Sequence, residues 1–187
     1  GATLKVKMAD YAAATLTNVT LADDTASVYF VLPSGKEVKG MVNGTTVTMP
    51  AQDVYTYTAV AGEENLWSTA SKWRLNGAPI ATAPTGVVST SVEVVLTGAS
   101  TLMMDVADVT LSALAVSGGE LTIAGQNALT LEVLTSANKV IVSNMLTLEG
   151  GAANAPRKIA TLLEVTGKLL TKGALHLTAE NRIAAGA

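Results

Sequence analysis

The chain has 187 residues, of which 49% are apolar, 14% charged and only 4% aromatic, with a net charge of −3, no Cys and one His. That hydrophobic content excludes intrinsic disorder, and the weak negative charge argues against a nucleic-acid partner. Without Cys there is no disulfide framework, thiolate nucleophile or Cys-ligated zinc, and one His cannot build a His-rich metal centre.

Taken from the start, Leu4, Val6 and Met8 alternate with Lys5 and Lys7, the period of a half-buried strand. Leu16, Val19 and Leu21 follow, then Val28-Tyr29-Phe30-Val31-Leu32, a candidate central strand. Pro33-Ser34-Gly35-Lys36 has turn composition, since Pro presets φ and Gly tolerates positive φ. Val38 to Val42 is expected to pair with Thr45 to Met49 across Asn43-Gly44, a hairpin signal. Residues 54–60, with alternating Tyr and Thr, complete a series of short strands without helical period. The expectation for residues 1–61 is a small antiparallel β-sandwich.

Ala61-Gly62-Glu63-Glu64-Asn65 reads as a seam, and the segment after it carries both tryptophans, Trp67 and Trp73. A loop punctuated by Pro79, Pro84 and Gly86 leads to a loosely repeating region. There, short apolar doublets are separated by Gly, Asn, Ser or Thr: Leu121/Ile123, Leu129/Leu131, Val140/Val142, Leu146/Leu148, Leu175/Leu177. Leu129/Leu131 recurs as Leu146/Leu148 and as Leu163/Val165, and Leu114 precedes Leu131 by the same step of 17 residues. Such repetition predicts a parallel β-solenoid over residues 62–187, each coil burying its inner face on the next. Gly150 to Pro156 reads as a loop bulging from one coil. The alternative is a second β-sandwich, which also produces many short strands.

Two resemblances bear on this. The run Val47-Thr48-Met49-Pro50-Ala51-Gln52-Asp53-Val54, followed by alternating Tyr and Thr, resembles the end of Ig-like repeats in bacterial surface proteins. Trp67, Trp73 to Gly77, Val92 to Gly98 and Leu114 to Ile123 together resemble bacterial secreted β-helix proteins of the autotransporter-passenger kind. The second resemblance implies deployment outside the cell or on its surface, and no particular activity.

Among residues that could carry chemistry, Asp105 and Asp108 are close enough to flank a turn and hold a cation, or to act simply as solvated turn formers. Glu63-Glu64 and Asp23-Asp24 are the other close acidic pairs. Glu132, Glu149 and Glu164 each follow Leu in the recurrent strand and predict an outer ladder that either recruits cations or keeps the surface soluble. His176 lies between Leu175 and Leu177 and faces away from both; it has no second His or Cys to share a metal. Gly118-Gly119 and Gly150-Gly151 lack the strand-to-helix setting of a phosphate loop. Between Arg74 and Lys139 every charge is acidic, which does not suit phosphate. Trp67 and Trp73, with Tyr55 and Tyr57, are candidate glycan contacts, since exposed aromatic rings stack on sugars. The competing reading makes the tryptophans a plug over the open first coil of the solenoid.

These residues predict a non-enzymatic segment without cofactor or metal, excised from a longer bacterial exported or cell-surface protein and serving as stalk or adhesive surface. The alternative is a glycan-binding accessory module of a carbohydrate-active enzyme. Expected partners are a glycan or another surface protein. No run approaches the roughly 18 apolar residues of a membrane helix, and the aromatics are too few for the girdles of a membrane barrel; no signal peptide is recognisable at Gly1 to Val6.

Overall fold

The computed structural model describes residues 1–149, 157–159, 161–177 and 182–183; the loop expected at Gly150 to Pro156 and the side chain of His176 lie outside this set. The chain is all-β, with a parallel β-solenoid of about 7 turns.

Residues 3–49 build two three-stranded sheets. One contains Thr3–Lys7, Ser27–Val31 and Glu37–Lys39, the other Ala14–Leu16, Thr46–Met49 and Met41–Asn43. Alternation along Ser27–Val31 and Thr46–Met49 turns Val28, Phe30, Val47 and Met49 into one shared core with Leu32. The wholly antiparallel sandwich expected here is corrected at its first strand, because Thr3–Lys7 runs parallel to Ser27–Val31. Asn43 pairs with Thr46 around Gly44, so the hairpin signal holds, but Val38 belongs to the other sheet, opposite Phe30. The chain changes sheets at Gly40. A Cβ there would run into the Val47 side chain and lie 3.0 Å from Phe30 Cε2, so only glycine passes through this gap.

The solenoid alternates between two long parallel sheets. The first contains Val54–Ala59, Val87–Leu96, Val109–Ser117, Leu129–Leu131 with Leu134–Ser136, Met145–Glu149 and Lys168–Lys172. The second contains Asn65–Leu66, Ser100–Met104, Leu121–Gly125, Val140–Val142, Leu163–Val165 and Arg182–Ile183. A third, short pair joins Arg157–Ile159 to Leu175–Leu177. Parallel register stacks like on like: Leu102, Ile123, Val142 and Val165 form one inner row, and Leu111, Leu131 and Leu148 another. These rows make one continuous core from Tyr57 to Val165. At roughly 25 cal/mol per Å² of apolar surface removed from water, such stacking is the main stabilising term for strands of three to five residues.

Two expectations about strand membership change. Val54–Ala59, placed at the end of the N-terminal sandwich, pairs parallel with Val87–Leu96 and antiparallel with Trp73–Leu75. The seam at Ala61 to Asn65 therefore lies between two strands of the same winding. The step of 17 residues holds from Leu131 to Leu148, but Val165 sits 23 residues beyond its neighbour Val142, in the second sheet. Leu114 likewise stacks on Leu134 and not on Leu131. Windings of unequal length shift the register, so a constant spacing in sequence is not a constant position in space.

Candidate functional site

The aromatic group occupies the first winding. Tyr57 points inward from Val54–Ala59, Trp73 opens the strand paired against it, and Trp67 follows Asn65–Leu66 in the second sheet. Trp67, Trp73 and Tyr57 are each at most 1% exposed. Their rings meet edge to face, with centroids 4.7 Å apart for Trp67 and Trp73 and 5.0 Å for Tyr57 and Trp73. Tyr55 reaches Trp73 from the side at 6.3 Å and keeps partial exposure.

The polar tips of the three buried rings each have a partner. Trp67 Nε1 donates to Pro84 O and Trp73 Nε1 to Trp67 O, both at 2.7 Å. Tyr57 OH donates to Leu66 O at 3.0 Å. Burial and then the nearby Asp105 charge push the Tyr57 hydroxyl well above the usual phenol value, so it stays a donor. The four residues read as a sugar-stacking platform are thus packed against one another: the faces of Trp67, Trp73 and Tyr57 lie in the core, and Tyr55 alone offers an accessible ring.

Asn65 and Asp105 hold this winding in place. Asn65 is 1% exposed. Its Nδ2 donates to Val60 O, Glu63 O and Thr101 O, and its Oδ1 accepts from Val60 N and Lys72 Nζ. Asp105 accepts from both the amide and the hydroxyl of Ser68. Burial pushes its carboxyl up, but the Ser68 hydrogen bonds outweigh this and leave it below the usual carboxylate range. Asp105 thereby anchors the residue next to Trp67. Nothing in the sequence singled out Asn65, because one Asn in a polar linker looks like any turn former.

Several of the other acids also hold structure. Asp108 accepts the amide of Ala128 at 3.0 Å, so Asp105 and Asp108 each secure a different backbone segment. Glu63 pairs with Lys72 at 3.2 Å. Asp23 accepts from the Thr25 hydroxyl and amide, which lower its pKa. The ladder of Glu132, Glu149 and Glu164 does not form: Glu149 stands beside Lys172 in the first sheet, and Glu164 lies in the second. Glu132 follows the end of its strand, its amide bonded to Leu111 O. Lys139 bridges Glu164 at 3.1 Å and Glu120 at 3.3 Å. Among the described residues, no three His, Asp or Glu side chains are gathered as a metal site.

A corner row was also not foreseen. Asn127 Nδ2 donates to Met104 O, and Asn144 Nδ2 donates to Asn127 O. Their spacing of 17 residues matches that of Leu129 and Leu146, so the same repeat carried the signal. Such amide rows satisfy backbone carbonyls where the strands turn.

The first sheet has one irregularity near the aromatic winding. Ser89 and Thr90 together oppose Ser112, a bulge in the Val87–Leu96 strand. Beside it lies an open cavity of about 240 Å³, lined by Tyr55, Pro84, Thr85 and residues 87–90. None of these residues is charged, so the lining consists of a Tyr side chain, small apolar residues and hydroxyl-bearing residues, a composition suited to a neutral ligand. Val87, at its rim, is 82% exposed.

Among the described residues, no helix is long and apolar enough to cross a membrane. No protein-family model, curated protein or solved structure matches the chain, so its function is read from its own residues.

Proposed function

We propose that the chain is a non-catalytic segment of an exported or cell-surface protein, acting as a stalk or adhesive surface. The observation that carries this reading is the continuous inner core from Tyr57 to Val165, to which the windings contribute in turn. The polar groups detailed above support it, since they hold backbone turns and neighbouring windings together. In a stacked architecture of this kind each winding contacts only its neighbours, which suits an extended spacer or surface. The N-terminal sheets, on the resemblance of Val47 to Val54, are the matching Ig-like spacer. The test is fractionation of cells expressing the complete protein, with the purified chain screened against chromogenic hydrolase and lyase substrates. Surface or secreted location without turnover supports the proposal; retention in the cytosol or turnover of any substrate overturns it.

The cavity beside Tyr55 favours a second reading, a module that binds a single neutral sugar ring. Its volume falls below the roughly 300–1,000 Å³ of sites for drug-sized ligands, which suits one ring better than a chain. A glycan array would support this reading if binding is abolished by Tyr55→Ala in a variant that melts like the parent. Absence of binding to any glycan removes it.

A further inference from the structure

The turn Pro33-Ser34-Gly35-Lys36 has no role in either reading, yet its surroundings are the most closely fitted polar contact between the N-terminal sheets and the solenoid. Ser34 is 0% exposed and Ser91 1%, and their hydroxyls lie 2.7 Å apart. Ser91 is on the face of its strand opposite the core residues Val92 and Val94. It is nevertheless buried, as is its neighbour Ala113. An outward-facing position is buried only when something covers it, and Ser34 sits there. Around this pair, Thr135 Oγ1 donates to Ser34 O at 3.1 Å, Lys36 Nζ donates to Ser89 O, and Tyr11 OH donates to Glu93 Oε1 at 2.8 Å. Burial and then Glu93 hold the Tyr11 hydroxyl far above the usual phenol value, so it remains a donor.

Gly35 is the closest-fitting residue. Its φ is +82°, and a Cβ would lie 2.7 Å from Thr135 Oγ1 and 2.9 Å from Val133 Cγ1. The turn thus meets the outer flank of the solenoid with backbone, against small residues: Ser91 and Ala113 are partners in register, and Ala115 lies between Glu93 and Thr135. The hydrophobic clusters on the two sides are separate, so no shared apolar core joins them. Interfaces of that polar kind ordinarily permit relative motion.

We infer that the Pro33–Lys36 turn is a latch that seats the N-terminal sheets on the flank of the solenoid, with Gly35 as its key and the segment 50–53 as the tether. When the latch is closed, the N-terminal sheets hold a set direction relative to the windings. When it is open, they swing on the tether.

The test uses the full chain and four variants. Gly35→Ala adds a methyl that meets Thr135 and Val133. Gly44→Ala is the control, because Gly44 also has positive φ, +58°, but a Cβ there meets nothing within 4 Å. The triple variant Gly35→Ala, Val133→Ala, Thr135→Ala removes both colliding atoms. Cleavage of an open form follows its population, so Gly35→Ala should raise the rate of proteolysis within 50–53 by about tenfold and enlarge the radius of gyration. Gly44→Ala should match the parent in both, and the triple variant should move back toward it. Trp emission reports an intact solenoid throughout. If Gly35→Ala disrupts that emission, Tyr11→Phe with Ser91→Ala removes the Tyr11–Glu93 and Ser34–Ser91 hydrogen bonds without adding volume and should still raise cleavage several-fold. Parental cleavage in Gly35→Ala, equal sensitivity in Gly44→Ala, or parental cleavage in the Tyr11→Phe, Ser91→Ala variant would overturn the latch.

Discussion

The indole N–H of Trp73 donates to the backbone carbonyl of Trp67 at 2.7 Å while the two rings meet edge to face. One side chain therefore fills the core of the first winding and ties down the backbone of the other. Trp67 repeats the device one step further, donating to Pro84 O and so fastening the loop that leads into Val87–Leu96.

Loss of this arrangement should be costly. Trp73→Ala removes a fully buried ring and is expected to destabilise the protein by about 3–5 kcal/mol, a large share of the roughly 5–15 kcal/mol of an ordinary domain. Trp73→Phe retains much of the apolar contact but leaves Trp67 O without its donor, for a smaller loss of about 1–3 kcal/mol. Urea unfolding followed by circular dichroism ranks the two. Equal midpoints for Trp73→Ala and the parent would show that the first winding does not depend on its plug.

Asn65 should be unexpectedly intolerant for a residue in a linker-like sequence. Asn65→Leu fills similar volume but takes the acceptor from Val60 N and the side-chain donor from Glu63 O and Thr101 O, so a loss of about 1–3 kcal/mol or more is expected. The measurement is the shift in thermal midpoint relative to Asn76→Ala. Asn76 is an exposed residue that holds Val54 N and the Asp53 carboxylate from outside.

Acid should loosen the first winding through Asp105. Its folded pKa lies below the unfolded value, so its contribution is present above the ordinary Asp value of about 3.9 and is lost as pH falls through the depressed folded pKa. Asp105→Asn should consequently be less stable than the parent at neutral pH. The two should converge at strongly acidic pH, where the parent carboxylate is protonated too. Urea midpoints across this range check the sign; a gap that widens on acidification contradicts it.

The solenoid should tolerate removal of one whole winding. Deleting residues 132–148 joins Leu131 to Glu149, so that Lys168–Lys172 stacks on Leu129–Leu131 and Leu163–Val165 on Leu121–Gly125. The product should melt cooperatively and be shorter by one strand spacing, about 4.8 Å. Deleting half that length would exchange the two sheets and should give an insoluble or molten product. Scattering and calorimetry distinguish these outcomes.

The sequence by itself determined the strand-forming segments, the Asn43-Gly44 hairpin and the solenoid, because period-two alternation and repeated Leu doublets are local properties of the chain. The repeat was also legible where windings have equal length, as from Leu129 to Leu146. Tertiary structure alone decided which strands became neighbours. Val54–Ala59 has the same alternation whether it closes a sandwich or begins a solenoid, and only its pairing with Val87–Leu96 settles the matter. The same applies to the candidate site. Trp67, Trp73, Tyr55 and Tyr57 could be recognised as a group in the sequence, but whether aromatic rings face sugar or one another depends on the strands that cover them. Glu149 and Glu164 share a sequence motif yet face different partners, because the longer winding between Val142 and Val165 carries Glu164 into the other sheet. Local pattern specifies which face of a strand is apolar; the length of each winding specifies what that face meets.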